Sequence, residues 1–128
     1  MSYHFSKSLD LSFDQAVARV IEALKHEGFG ILTDIDVAAT MKAKLGEDFR
    51  PYRILGACNP KLAYRALELE DKIGTMLPCN VIVHEHPGGG VEVSAVDPVA
   101  SMQAIENPGL AKVANEVQAR LKRVVAGL

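Results

Sequence analysis

The two cysteines, Cys58 and Cys79, are the residues of this 128-residue chain best suited to chemistry. Each precedes an asparagine, Asn59 or Asn80, whose amide can donate or accept hydrogen bonds near sulfur. Asn59 is also a predicted helix cap, and the positive end of a helix dipole lowers the pKa of a neighbouring thiol. These four residues are therefore predicted to form a thiol or ligand site. The alternative is that both cysteines are small apolar packing residues.

A second candidate site is the pair His84 and His86. Two imidazoles separated by one residue lie on the same face of a strand. They can hold a metal ion or a haem if further ligands approach, whereas the intervening Glu85 points to the opposite face. The alternative is an exposed strand end beside a turn.

The sequence contains no recognisable catalytic constellation. Gly88-Gly89-Gly90 lacks the Lys-Ser/Thr ending of a phosphate loop and predicts a hairpin turn. The acidic residues Glu68, Glu70 and Asp71 predict a solvated helix end, and Asp97-Pro98 predicts a turn. No paired acid and base and no nucleophile elbow is present, so the sequence leaves enzymatic activity and cofactors open.

The elements that must position these residues follow from hydrophobic periodicity and from helix caps. Strands are predicted over residues 3–9, 29–35, 52–57, 80–85 and 91–96. Helices are predicted to begin after the caps Ser12, Asp36, Asn59 and Asn107. The first of these ends at Gly28 and the second at Gly46. The order is therefore β-α-β-(α)-β-(α)-β-β-α, with the two helices in parentheses short.

This order predicts an α+β domain over residues 1–128, in which an antiparallel sheet carries its two long helices on one face. If the third and fourth strands are antiparallel neighbours, Cys58 and Cys79 lie close together. The uncovered face must be polar or must meet a partner. We expect Asn80, Ile82, His84 and His86 on this face and Val81 and Val83 on the other, and we expect a homodimer.

Charge and composition exclude some partners. The net charge is −2, there is no basic stripe, and aromatic residues make up only 5% of the chain. Nucleic-acid binding is therefore not expected. No signal peptide or membrane span is recognisable, so we expect a cytoplasmic protein with reduced thiols.

Several motifs stand at regular separations along the chain. They are Gly28-Phe29-Gly30, Lys44-Leu45-Gly46, Tyr52 to Pro60, Leu77 to Val81, Ser94 to Pro98 and Pro108-Gly109-Leu110. In these motifs the chain closely resembles the bacterial and archaeal family called domain of unknown function 302. The resemblance implies a compact α+β fold and a tendency to form homodimers, but no established activity.

Three functional hypotheses follow from these observations. The first is a homodimeric module that binds a small molecule or a protein partner. The second is a thiol-based redox or sulfur-handling protein that uses Cys58 and Cys79. The third is a metal or haem binder that uses His84 and His86 or the thiols.

Overall fold

A computed structural model of the chain describes residues 2–128, which form one antiparallel sheet with helices. The spatial order of the strands is β1-β5-β4-β3-β2, and every neighbouring pair is antiparallel. The strands β1 to β5 span His4–Leu9, Gly30–Asp36, Tyr52–Cys58, Cys79–Glu85 and Val91–Val96. The predicted fold class is confirmed, and so is the predicted order of the five strands and two long helices along the chain.

The helices α1 to α5 span Phe13–His26, Val37–Leu45, Pro60–Leu69, Pro98–Ser101 and Pro108–Ala126. A 3₁₀ segment, Asp71–Met76, connects α3 to β4. The long helices α1 and α5 contact each other and cover the same face of the sheet, as predicted. Within the described residues, none of these helices combines the length and apolar character needed to cross a bilayer.

Side-chain caps determine where the main helices begin. Ser12 and Gln15 bond reciprocally at the start of α1, which is the predicted capping box. The amide oxygens of Asn59 and Asn107 each accept from a backbone N–H three residues later, at 3.3 Å. In both cases proline follows the cap and begins the helix, because its fixed φ suits the first position.

One local expectation was wrong, and two local features were not predicted. Asp97 does not begin a simple turn, because its carboxylate caps the short helix α4 by accepting from Val99 N. The 3₁₀ segment was not predicted, since its start at Asp71 was assigned to a solvated helix end. The exposure of helix α2 was also not predicted: it buries none of its residues, and Leu45 at its end is 67% exposed.

The core lies between the sheet and the two long helices. Val81 and Val83 of β4 point towards the helices, as predicted, and are fully buried. Together they belong to one continuous cluster with apolar residues of the neighbouring elements. Its other fully buried members include Val20, Leu24, Leu55, Ile73, Val93 and Leu121.

The opposite face of the sheet carries no helix that spans it, and we call it the open face. An apolar row crosses three of its strands, because Ile35 pairs with Ile54 and Ile54 pairs with Ile82. Polar residues flank this row, and one of them, His84, is buried, with only 9% of its surface exposed. The open face is therefore mixed in character.

We predict that Gly56→Ala lowers the free energy of unfolding by about 1–3 kcal/mol, a typical cost of overpacking. Gly56 is buried in β3, and an added Cβ would lie 2.7 Å from Pro78 Cγ and closer still to Thr33 Oγ1. Urea denaturation measures the change. Gly30→Ala is the matched control, because Gly30 is also a strand glycine but has no atom within 4 Å of the added carbon. Equal stability of the two variants would contradict the prediction.

Candidate functional site

The two cysteines lie at the same end of the central strand pair. Ala57 of β3 pairs with Cys79 of β4, so Cys58 is one residue along β3 from the partner of Cys79. The strand ends meet as the antiparallel arrangement predicted. Cys58 is half-buried and Cys79 is buried, and the two thiols form no disulfide.

Burial determines the acidity of both thiols. It raises the pKa of Cys58, and it raises the pKa of Cys79 to about 11, with a smaller contribution from the negative charge of a Cys58 thiolate. This direction is opposite to the lowering that the α3 dipole was expected to cause at Cys58. Removal of the sulfur from water disfavours the charged thiolate.

The two asparagines are divided between different surroundings. Asn59 uses its amide oxygen to cap α3, where it accepts from Leu62 N. Asn80 is exposed and pairs with Gly56, so it belongs to the open face, whereas Cys79 of the same strand faces the helices. The four predicted residues thus occupy one end of the sheet but not one pocket.

A cavity of about 330 Å³ lies beside the cysteines, between α3, α5 and the end of the sheet. Almost all of its wall is apolar, and Asn59 is the sole amide side chain in it. Both thiols contribute to the wall. The other lining residues are Phe29, Leu32, Ala57, Leu62, Ala63, Ala66, Leu67, Gly74, Leu77, Pro78, Met102, Val113, Ala114 and Val117.

We call this space the helix cavity. Its lining includes Leu32 and Leu67, which are 67% and 47% exposed, so the cavity is open to solvent on the side of these leucines. Buried residues such as Ala66 and Ala114 form its inner wall. Sequence reasoning missed this cavity, and the only signal for it was the occurrence of small residues on the apolar faces of α3 and α5.

The predicted histidine pair lies on the open face, where it meets a carboxylate that sequence reasoning missed. Glu92 of β5 pairs with His84 in the sheet register. His84 Nε2 lies 3.2 Å from Glu92 Oε1, and His86 Nε2 lies 3.9 Å from Glu92 Oε2. The Tyr52 ring packs on His84 with centroids 5.2 Å apart, which explains the burial of this histidine.

Tyr52, His84 and Glu92 border a shallow pocket of about 440 Å³ on the open face. His84 Nδ1 is buried and has no hydrogen-bond partner among the residues that the structure describes. Across residues 2–128, however, no group of three or more His, Cys, Asp or Glu side chains is arranged to hold a metal ion. The cluster is best described as an imidazole–carboxylate contact inside a polar patch.

Comparison with known proteins places this architecture in one family. A family model described as Domain of unknown function DUF302 matches residues 5–128, which confirms the resemblance seen in the sequence. The chain is similar to the crystal structure of an uncharacterized conserved protein DUF302 from Bacillus stearothermophilus. The identity is 28%, 98% of each chain is covered, and the TM-score is 0.90. A comparison with curated proteins finds no match.

We predict that neither thiol ionises below the usual range of a free cysteine, about 8.5. Alkylation rates of the variants Cys58→Ser and Cys79→Ser, followed against pH, measure the remaining thiol in each. The rates should still be rising at pH values above that range, with the half-buried Cys58 faster than the buried Cys79. A plateau reached near neutral pH would contradict the prediction.

Proposed function

We propose, from the geometry of the helix cavity, a function for this chain, which belongs to the family described as domain of unknown function DUF302. The protein is a binding module that takes a small apolar molecule into the helix cavity. The observation that supports this most strongly is the apolar wall of a space of about 330 Å³ that is open to solvent on the side of Leu32 and Leu67.

The chemistry of the wall favours an apolar occupant over water. A buried water needs two or more polar partners, and an engineered apolar cavity of about 150 Å³ stays dry and binds benzene. The helix cavity is larger than that engineered cavity. Asn59 is the one amide side chain in its lining, and the oxygen of this amide already accepts from Leu62 N as the cap of α3. Its volume lies near the lower end of the range for small-molecule sites, about 300–1,000 Å³.

The two alternatives have less support. A redox or sulfur-handling role for Cys58 and Cys79 requires reactive thiolates, whereas burial raises the pKa of both thiols. A metal or haem site at His84 and His86 lacks an arranged third ligand among residues 2–128. Neutral thiols, in contrast, suit an apolar wall, because an un-ionised cysteine behaves as a small apolar residue.

We further propose that the module is a homodimer formed through the open face. The row of Ile35, Ile54 and Ile82 gives this face an apolar centre, and Ile35 is 46% exposed. The polar residues around the row, including Glu92 and Asn80, provide a rim of the kind that interfaces have. A self-complementary pairing of one face with its copy is the commonest form of association.

We predict that Ala114→Phe weakens binding of octan-1-ol by about ten-fold or more, because the ring occupies space the probe needs. Ala114 lies on the inner wall of the helix cavity and is 4% exposed. Titration calorimetry with the purified protein measures the affinity.

Ala119→Phe is the matched control, since Ala119 belongs to the same helix but is exposed and does not line the cavity. It should bind octan-1-ol like the unsubstituted protein. Thermal unfolding of both variants establishes that they are folded. If octan-1-ol does not bind the unsubstituted protein, or binds all three proteins equally, the helix cavity is not the binding site.

For the interface, light scattering after size exclusion should show a dimer at micromolar concentration. Ile82→Lys should shift the protein to a monomer, because a charge at the centre of an apolar contact is costly. Leu45→Lys, at an exposed position of α2, should leave the dimer intact. A monomeric unsubstituted protein would exclude the proposed interface.

A further inference from the structure

A second pocket, of about 540 Å³, lies beside the helix cavity in the crevice between the start of α3 and α5. Asn59 and Leu62 line both spaces, so the two spaces adjoin at these residues. The chemistry of the two linings differs sharply. The helix cavity is apolar, whereas the second pocket is lined by charged side chains, and we call it the basic pocket.

Three cations and one carboxylate line the basic pocket. The cations are Lys61, Arg65 and Arg120, and the carboxylate is Glu116. Glu116 is shared between two of them, with its oxygens 3.4 Å from Arg120 Nη2 and 3.9 Å from Arg65 Nη1. No ion pair of Lys61 occurs in the described part of the chain, so the lining carries an excess of positive charge.

The surrounding contacts do not remove this excess. The carboxylate of Glu27 is paired with Arg123. Glu27 Oε1 accepts from Nε and Nη2 of Arg123, and Glu27 Oε2 accepts from Nε. Arg120 reaches the same carboxylate only at 4.0 Å. Arg120 also donates from Nη1 to the backbone oxygen of Glu27 at 3.0 Å, so this guanidinium is already engaged. Lys61 and Arg65 are exposed and make no side-chain hydrogen bond within residues 2–128, so they hold unused hydrogen-bonding capacity for an oxygen anion.

We propose that the two pockets form one site for an amphiphile, namely an apolar chain that ends in a carboxylate. The apolar chain occupies the helix cavity, and the carboxylate crosses beside Asn59 and Leu62, where the two spaces adjoin, to lie against Lys61 and Arg65. This inference rests on the proposed function, because it requires the helix cavity to bind the apolar part. Arginine and lysine bind a carboxylate through charge-assisted hydrogen bonds. An uncharged alcohol of equal length makes only the weaker neutral kind.

Octanoate and octan-1-ol, titrated separately into the full chain at neutral pH, test the proposal. The affinity for octanoate should be higher than that for octan-1-ol by about ten-fold or more, because only the carboxylate makes charge-assisted hydrogen bonds. Added salt should weaken octanoate binding and leave the alcohol unaffected, because ions screen partly exposed charges. The double variant Lys61→Gln/Arg65→Gln should remove most of the preference for octanoate.

The matched control is Arg19→Gln/Lys44→Gln, which removes the same two charges from exposed positions on α1 and α2. This control variant should still bind octanoate more tightly than octan-1-ol. Such a result would show that the loss in Lys61→Gln/Arg65→Gln comes from the basic pocket and not from the change in net charge. Equal affinity of the two probes in the unsubstituted protein, or an equal loss of both in the double variant, would overturn the carboxylate inference alone. If neither probe binds, the proposed function fails as well.

Discussion

The antiparallel register of β3 against β4, which places Ala57 opposite Cys79, is the constraint on which the rest of the molecule depends. Side chains alternate along a strand, so this register directs Val81 and Val83 towards the helices. The same alternation sends Asn80 and His84 to the open face. A shift by one residue would exchange the two sets, placing an imidazole in the core and valines outside. The core and both candidate surfaces therefore follow from one pairing.

The helix cavity is a local exception to close packing. Protein interiors are normally filled to the density of organic crystals, and the centre of this core follows that rule with Leu24, Leu55 and Leu121 fully buried. Where α3 meets α5, the facing residues include Ala66 and Ala114. Their side chains are too short to fill the space between the helices. The cavity is thus a consequence of residue size at one helix contact and not of loose packing throughout.

Elements with strong local signals were predictable from the sequence. Asn59 followed by Pro60 specifies a helix start through the cap and through the fixed φ of proline, and this start was found where expected. The strand Val91–Val96 was also predicted with the observed ends. These signals act over a few neighbouring residues, so they do not depend on how the rest of the chain packs.

The features that were missed depend on contacts between distant segments. The helix cavity is lined by residues from Phe29 to Val117, and no local pattern reports that these surround an empty space. Glu92 meets His84 because β4 and β5 pair in a particular register, which sequence spacing alone leaves open. The 3₁₀ segment buries only Ile73, so its apolar signal is a single residue.

The acidity of Cys58 shows how two correct physical effects compete. A helix dipole contributes about 0.3–1 kcal/mol at an exposed position, and one pKa unit corresponds to about 1.4 kcal/mol. The dipole therefore shifts a thiol pKa by less than one unit, whereas burial acts over several units. Sequence spacing reports the dipole but not the burial, and burial raises the pKa of both thiols. Both thiols are therefore neutral, and they contribute apolar surface to the helix cavity at this end of the sheet. Ionised thiolates at the same positions would require hydration.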